Sequence, residues 1–255
     1  MLGSITRACG NRGLDLLISF QRMEDDWHTR YQDSMRADGL ILLGYGDYTT
    51  YEARLRELMR QGTHFARWGS VSSDTSGATI GSDNLGAGRL VGEHLLGEGR
   101  RRIAFLGHAD GHYPEFAHRY DGLCEVLRGA GIGPDPALQR DAITTEEAGL
   151  SATRDLIASG AQFDAIFAGS DLIAIGAMRA LAEAGLSVPG DVAVVGFDDI
   201  PSASLTSPPL TTIQQDTRGA GERLVETLLA QIEGEDLPPA RLPTRLIVRG
   251  SSTAS

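Results

Sequence analysis

The segment from Asp164 to Asp216 constrains the fold more than any other part of the chain. It contains two apolar runs, Ala165–Ala168 and Val192–Phe197, each of the length of a buried strand. Between them, apolar side chains recur at helical spacing from Leu172 to Leu181, and Gly185 follows as a C-terminal stop. The order strand, helix, strand predicts a parallel sheet with a right-handed crossover.

Polar residues follow both apolar runs at the point where each predicted strand ends. Ser170 and Asp171 follow the first run, and Asp198 and Asp199 follow the second. Ligands bind at the carboxyl ends of the strands in open parallel sheets, so these residues predict a binding site. Because neighbouring side chains on a strand point to opposite faces, only one of the two aspartates of the second pair is expected to face that site. Asp171 is better explained as a helix N-cap.

Several blocks of sequence resemble the effector-binding core of the LacI/GalR family of transcriptional regulators. The blocks lie in the family's order between Ile80 and Ser252 and read SDNLGAGRLVGEHLLGEGRRRIAFLG, SDLIAIGAMRAL, VPGDVAVVGFDD, PPLTTI and LIVRGSS. The resemblance implies an α/β, two-lobed fold of the periplasmic-binding-protein type I kind. Each lobe would be an open parallel sheet flanked by helices, and three crossings would join the two lobes.

The same resemblance predicts the domain organisation. The N-terminal lobe is expected to comprise residues 1–108 plus 216–236, and the C-terminal lobe residues 109–215 plus 237–255. The family's helix-turn-helix headpiece, hinge and first core strand have no counterpart in the residues from Met1 onward. We therefore expect the first sheet to have an exposed edge or a gap.

The spacing of apolar residues also predicts elements nearer the N-terminus and through the middle of the chain. The expected helices are the tail of one ending near Asn11, and those at Glu24–Arg36 and Asn84–Gly97. The expected strands are a buried one at Leu14–Phe20, one at Asp38–Gly44, and those at Ile103–Leu106 and Asp141–Ile143.

The resemblance further implies which side chains would hold a ligand between the lobes. The candidates are Arg119, Asp198, Ser170, Gln215, Phe116 and Thr144. An arginine offers a rigid fork of donors that suits adjacent hydroxyls or a carboxylate, and an ionised aspartate accepts from paired hydroxyls or ring N–H groups. Thr144 aligns near a position where relatives often carry a stacking ring, so stacking would come from Tyr113 or from Phe116.

The function implied by the resemblance is effector sensing by a LacI-type repressor. A small molecule, most commonly a sugar or a sugar derivative, would favour one orientation of the lobes and so control operator binding by the missing headpiece. A purine or another small metabolite is the less expected ligand class, and a homodimer is expected. The alternative is a solute-binding protein of a sugar transporter, because such proteins share the fold.

Charge and composition exclude several other functions. The formal net charge is −11, and all 23 basic residues are arginine. Without lysine the chain cannot form a Schiff base or use the lysine of a P-loop. Its acidity opposes DNA binding by this chain alone. No apolar run reaches the length of about 18 residues that a membrane span needs, and the first residues lack the apolar middle of a signal peptide, so we expect a cytoplasmic protein.

Three further patterns invite chemical interpretations. The glycines of Gly86–Gly92 imitate a dinucleotide fingerprint, but the last is one residue late and Asp83 would lie beside the pyrophosphate. We therefore predict close helix packing there, no cofactor and no enzyme activity. His108, His112 and His118 lie mostly in a loop, so no metal site is expected. Cys9 and Cys124 are predicted to be buried thiols.

Overall fold

The computed structural model describes residues 1–20, 37–44, 48–71 and 78–253. The chain divides into two compact units and passes between them three times. The first unit comprises Met1–Ser82 and Asp216–Pro243, and the second comprises Asp83–Gln215 and Thr244–Ser255. The helix predicted at Glu24–Arg36 lies outside the described residues.

Helices and strands alternate along most of the described chain. The helices are α1 (Leu2–Gly10), α2 (Tyr48–Arg60), α3 (Asn84–Gly97), α4 (Pro114–Gly129), α5 (Glu146–Ala158), α6 (Asp171–Glu183) and α7 (Thr217–Ile232). The strands are β1 (Leu40–Leu43), β2 (Phe65–Trp68), β3 (Thr79–Ser82), β4 (Ile103–Leu106), β5 (Gln139–Arg140), β6 (Ala165–Ala168), β7 (Ala193–Asp198), β8 (Thr211–Gln215), β9 (Ala240–Leu242) and β10 (Thr244–Ile247). The α/β architecture of parallel sheets flanked by helices is the predicted one.

The first unit is built on a parallel four-stranded sheet in the order β1-β2-β3-β9. Helices α1 and α7 pack against each other, and their buried side chains include Ile5, Ala8 and Leu224. The Asp216 carboxylate caps α7 by accepting from the backbone N–H of Gly219 at 2.8 Å. This unit therefore has its own apolar core.

The segment predicted as a buried strand at Leu14–Phe20 is not a strand in the structure. It carries no regular secondary structure, and the exposed fractions of Leu17 and Phe20 are 61% and 94%. An apolar run is buried only when other elements cover it. Here β1 is the edge strand of its sheet, and the run does not pair with it. The prediction was wrong because an apolar pattern shows only that a segment could be buried. Burial also needs a neighbouring strand or helix to cover the segment.

The second unit is built on a six-stranded sheet in the order β10-β8-β7-β6-β4-β5. Strands β4 and β6 are buried along their whole length, and the rings of Phe105 and Phe167 meet edge to face at 5.5 Å. The sheet is parallel except at β10, which runs antiparallel to β8. Since Thr244 pairs with Gln215, β10 begins beside the residue at which β8 ends. The second unit thus has the predicted parallel sheet with one antiparallel strand at its edge.

Helices cover the second sheet in two close pairs, α3 with α4 and α5 with α6. Helix α3 and strand β4 have the bounds predicted for them, Asn84–Gly97 and Ile103–Leu106. Gly185 ends α6 with a positive φ of 75°, which a glycine adopts without steric cost. The strand predicted at Asp141–Ile143 is instead the shorter β5, two residues earlier.

The observed boundary between the units differs from the predicted one. We expected the first lobe to extend to residue 108, whereas the structure places the division after Ser82. Two contacts explain the difference: α3 packs on α4, and β4 lies between β5 and β6 in the larger sheet. Likewise the last passage follows Pro243, because β9 pairs with β3.

None of the described helices combines the length and apolar character that crossing a membrane requires.

Candidate functional site

The carboxyl ends of β6, β7 and β8 bring together most of the residues predicted to hold a ligand. All lie in the second unit, so its own fold positions them. Arg119 and Phe116 come from α4, Asp198 ends β7, and Gln215 ends β8. This is the edge of the sheet at which parallel α/β folds bind ligands.

Arg119 is held rigidly at the centre of the group, with an exposed fraction of only 6%. Its Nε donates to Asn84 Oδ1 at 2.9 Å, and its Nη1 donates to the carbonyl of Gly169, the residue after β6. The guanidinium lies over the ring of Phe197 with its Cζ 3.4 Å from the ring centroid. A cation stacked on an aromatic face keeps a fixed plane, so the fork of donors has one orientation.

Asp198 faces this arginine at the end of β7. Its Oδ1 accepts from Gln215 Nε2 at 2.6 Å. Burial raises the pKa of Asp198 from 3.8 to about 7, while the positive charge of Arg119 lowers it and the nearby Asp171 raises it further. The carboxyl group therefore changes its charge near neutral pH, which is typical of functional sites.

Asp199 is held by the structure around it. Its two carboxylate oxygens meet Arg249 Nη2 at 2.6 Å and Gln214 Nε2 at 2.7 Å. Arg249 also donates to the carbonyl of Leu210 at 2.8 Å, so this ion pair fastens the loop after β7 to the segment before β8. These contacts give Asp199 a structural role, and the ligand-binding role of Asp198 stays a prediction.

Asp171 has a role that the sequence did not indicate. It is fully buried, and its oxygens accept from Thr212 Oγ1 at 2.5 Å and from the backbone N–H of Ile200 at 2.9 Å. Burial raises its pKa, and these two hydrogen bonds oppose the rise. Gly196 makes room for it, because a Cβ there would overlap Asp171 Oδ1. This carboxyl group therefore ties α6 to β8 and to the loop that follows β7.

Ser170, and not Asp171, caps α6. The Ser170 Oγ accepts from the backbone N–H of Ile173 at 3.3 Å, and the residue is 1% exposed. The prediction of Asp171 as the N-cap was wrong, because the residue one position earlier has the extended backbone of an N-cap. Ser170 follows Gly169, the residue whose carbonyl meets Arg119, so it lies at the predicted edge with its hydroxyl engaged in the cap.

Aromatic side chains line one flank of the arginine. The Arg119 Cζ lies 5.1 Å from the Phe116 centroid, and Phe116 stacks loosely on Tyr113 with centroids 6.4 Å apart. Tyr113 in turn stacks on His108 at 4.3 Å. Thr144 is exposed in the loop before α5, and none of its described contacts joins it to Arg119 or Asp198. The structure thus brings five of the six predicted residues to one edge and leaves Thr144 apart.

Sequence reasoning missed four residues that shape this edge. They are Asn84, Asp171, Thr212 and Arg249. Asn84 is buried at the first position of a helix whose start was predicted. The asparagine at that position was therefore a signal that the sequence offered. The other three act through the side-chain pairs Asp171–Thr212 and Arg249–Asp199, whose members lie 41 and 50 residues apart along the chain, and such pairings are not visible in local patterns.

The glycine-rich start of α3 serves helix packing in the structure. A Cβ at Gly88 would overlap the backbone carbonyl of Arg119, and a Cβ at Gly92 would press on Val126. The Asp83 carboxylate caps the helix by accepting from the Gly86 N–H at 3.1 Å. Within the described residues, no group of three or more metal-ligating side chains comes together, and both cysteines are buried with free thiols.

Comparisons with known proteins agree with this architecture. Residues 93–252 match the family described as periplasmic binding protein-like domain. The chain is 38% identical over 172 residues to the HTH-type transcriptional regulator CelR of Thermobifida fusca, an alignment covering 66% of this chain and 50% of CelR. It is 30% identical over 263 residues to the ribose operon repressor of Escherichia coli strain K12, covering 99% of this chain and 77% of the repressor.

A solved structure gives the same result in three dimensions. The complex of the transcriptional regulator CelR with cellobiose superposes with a TM-score of 0.88 and 30% sequence identity, covering 98% of this chain and 77% of that one. In sequence, this chain thus spans about half the length of CelR and about three quarters of the ribose operon repressor. From the domain match and the relatives together, the chain belongs to the LacI/GalR family of transcriptional regulators, as its periplasmic-binding-protein-like domain.

Proposed function

We propose that this chain is the effector-binding domain of a LacI-type regulator and that it binds a small polyhydroxylated molecule at the carboxyl end of the six-stranded sheet. The observation that carries the proposal is the linked set of Gln215, Asp198 and Arg119, with the Gln215–Asp198 hydrogen bond at 2.6 Å. The set binds its ligand without chemical turnover.

The chemistry of the set favours a sugar. A carboxylate accepts from two neighbouring hydroxyls, and an amide and a guanidinium donate to hydroxyl or ring oxygens. Phe116 and Tyr113 offer apolar faces on the same flank, which suit the C–H face of a sugar ring. Two relatives are named for sugar responses, one as a ribose operon repressor and one solved with cellobiose. Sugars are therefore the first ligands to test.

Regulation is favoured over transport because the similar proteins are named as transcriptional regulators. In the proposed mechanism, the effector binds one conformation of the domain more tightly than another. Only such a difference in affinity can shift the equilibrium that controls operator binding, and couplings of this kind usually amount to about 1–3 kcal/mol. For the whole regulator, we further propose that it forms a homodimer and binds operator DNA.

The test is isothermal titration calorimetry of the chain with ribose, cellobiose and adenosine. Arg119→Ala and Asp198→Asn should each weaken the sugar that binds by at least about tenfold, because each removes a charged partner, and a hydrogen bond to a charged group contributes about 1.5–3 kcal/mol. Arg154→Ala is the matched control. Arg154 pairs with Glu183 on an exposed surface, and its loss should leave the affinity unchanged.

Two results would refute the assignment of the site. One is a sugar that binds equally well to the wild-type chain, Arg119→Ala and Asp198→Asn. The other is tight binding of adenosine alone, which would keep a ligand site but contradict a sugar effector. Circular dichroism of each variant establishes that a lost heat signal does not come from unfolding.

A further inference from the structure

Three aspartates meet at the proposed effector site of the second unit. Asp171 is the first residue of α6, Asp198 ends β7, and Asp199 follows it directly. Asp171 is fully buried, and the side chain of Asp199 is only 14% exposed. Because neighbouring negative charges disfavour ionisation in a buried setting, such a group tends to retain a proton on one of its members.

Two of the three have a donor on each carboxylate oxygen. Asp171 accepts from a threonine hydroxyl on Oδ1 and from a backbone N–H on Oδ2. Asp199 accepts from Arg249 on Oδ1 and from Gln214 on Oδ2. Hydrogen bonds to both oxygens favour the ionised form, so neither residue is the natural holder of the proton.

Asp198 differs because only one of its oxygens has a donor. Its Oδ1 accepts from Gln215 Nε2 at 2.6 Å, and no hydrogen bond from another described residue reaches its Oδ2. The described residues also show no direct ion pair between Asp198 and Arg119, whose Nη1 donates to the carbonyl of Gly169. The Oδ2 atom is therefore the acceptor that Asp198 offers to a ligand.

The contact with Gln215 also decides where a proton lies on Asp198. A carbonyl oxygen accepts an N–H better than a hydroxyl oxygen does, so Oδ1 stays the acceptor for Gln215 and the proton of the acid form lies on Oδ2. A protonated Oδ2 is a donor, whereas an ionised Oδ2 accepts from two hydroxyls. The proton and the hydroxyls of a sugar therefore compete for one atom.

The surroundings of Asp198 place this competition near neutral pH. Burial raises the pKa of Asp198 to about 7, although the charge of Arg119 on α4 lowers it. Asp171 on α6 raises the pKa further, and the hydrogen bond from Gln215 on β8 lowers it. The acid and ionised forms are therefore both populated under ordinary conditions.

Two other ionisable groups lie close enough to be considered. Asp199 is paired with Arg249, so its charge is compensated by its own partner. His108 lies on the aromatic flank of the site, where it stacks on Tyr113 at 4.3 Å. Histidine is the side chain that most often changes charge near neutral pH, so the experiment must separate its effect from that of Asp198.

We propose that the effector binds only when Oδ2 of Asp198 carries no proton, so that binding at this edge releases a proton and weakens as the pH falls. The O–H bond at Oδ2 breaks, the proton passes to the buffer, and the sugar hydroxyls donate to the carboxylate that remains. The inference rests on the proposed sugar site, and it adds that the domain responds to pH together with its effector.

The affinity for the effector then follows the ionised fraction of Asp198. With half ionisation at about pH 7, the dissociation constant should rise about tenfold between pH 8 and pH 6. At pH 7 about half a proton should leave for each ligand bound.

Isothermal titration calorimetry of the full chain with ribose and with cellobiose, at pH 6, 7 and 8, measures this dependence. At pH 7 the titration is repeated in PIPES and in imidazole, whose heats of ionisation differ, so a released proton changes the measured heat. Asp198→Asn should bind the sugar more weakly, with the same affinity at pH 6 and pH 8. Asp121→Asn, exposed on α4, is the matched control and should keep the tenfold change.

Carbon-13 NMR of the aspartate carboxyl groups gives a second readout, which does not need a measurable affinity of the variant. In the ligand-free chain one carboxyl resonance should titrate near pH 7, and it should be missing from Asp198→Asn. Because coupling between two bound species is reciprocal, sugar at about ten times its dissociation constant should lower that midpoint by about one pH unit.

Three results would overturn the inference and leave the proposed sugar site in place. They are equal affinity at pH 6 and pH 8, tighter binding at pH 6, and a pH dependence that survives in Asp198→Asn. The last result would assign the titration to another group, with His108 as the first to replace. Failure of both sugars to bind at all three pH values would instead refute the proposed function, and this inference with it.

Discussion

At the scale of single residues, backbone conformation separates the roles of two neighbouring aspartates. Asp198 and Asp199 both have positive φ, 122° and 55°. Few residues other than glycine adopt such values, although aspartate and asparagine do so more readily than most. Asp199 is fixed by Arg249 and Gln214, and this fixation holds the strained Asp198 toward Arg119.

This detail limits what the sequence could predict about the site. Alternation along a strand predicted a different direction for each aspartate, but neither residue has the backbone geometry of a strand. The strand ends and their polar residues were predictable, because the apolar run and its termination are local. The ion pair that orients them depends on Arg249, which is 50 residues away.

The first prediction at this scale concerns Asp198→Asn. The folded pKa of about 7 lies above the unfolded value of about 3.9, so the folded state favours the protonated form. The stability from this preference is complete below pH 4 and is lost as the pH rises to 7. Asparagine cannot ionise and tolerates positive φ. We therefore expect the variant to gain up to about 4 kcal/mol over wild type at pH 8 and little at pH 4.

Urea unfolding of both proteins at pH 4 and pH 8 measures this difference. Asp121→Asn, on the exposed side of α4, serves as the control for removing one negative charge. A stability gain for Asp198→Asn that is equal at both pH values would contradict a carboxyl group with a raised pKa.

At the scale of elements, glycines set the distance between paired helices. A Cβ at Gly88 would overlap the carbonyl of Arg119, and a Cβ at Gly122 would overlap that of Leu85, so α3 and α4 cross with their backbones in contact. Gly149 and Gly176 play the same part between α5 and α6. The position of Arg119 thus depends on a small residue in a neighbouring helix.

We predict that Gly88→Ala destabilises the chain by about 2 kcal/mol, because overpacked contacts between backbones cannot relax through a side chain. Gly97→Ala is the matched control at the end of the same helix, where a Cβ meets nothing within 4 Å. It should be neutral or stabilising by up to about 1 kcal/mol. Thermal melts should show a lower Tm for Gly88→Ala, by about 4–8 °C, and equal melting of the two variants would contradict the close crossing.

Elements with a self-contained signal were predicted well. Helix α3 has its cap, apolar spacing and C-terminal end in one stretch, and β4 is a continuous apolar run. Leu14–Phe20 has a strand-like composition too, but its state depends on a neighbouring strand, which local sequence cannot supply. Composition therefore predicts an element reliably only where its partner is also present.

At the scale of the whole molecule, the two units differ in how completely their sheets are covered. In the second unit β6 and β7 have neighbours on both sides, and their apolar residues are fully buried. In the first unit β1 is an edge strand, and Leu43 is 40% exposed. The sequence did not predict where one unit ends, because α3 could have packed on either sheet.

We predict from this contrast that the units differ in local stability. Amide hydrogens of β6 and β7 should exchange only through global opening of the second unit, while those of β1 should exchange at least about tenfold faster through local opening. Hydrogen–deuterium exchange followed by mass spectrometry measures both regions in one sample. Equal protection of β1 and β7 would contradict the difference.

The path of the chain between the units also has a consequence for protein synthesis. Residues Met1–Ser82 complete their unit only with Asp216–Pro243, which leave the ribosome after the intervening Asp83–Gln215. At about 5–20 residues per second, that delay is about 7–27 s. The second unit waits longer still, since Ser251 donates to the carbonyl of Val194. We therefore expect β1 and its apolar neighbours to stay uncovered by Asp216–Pro243 throughout that interval.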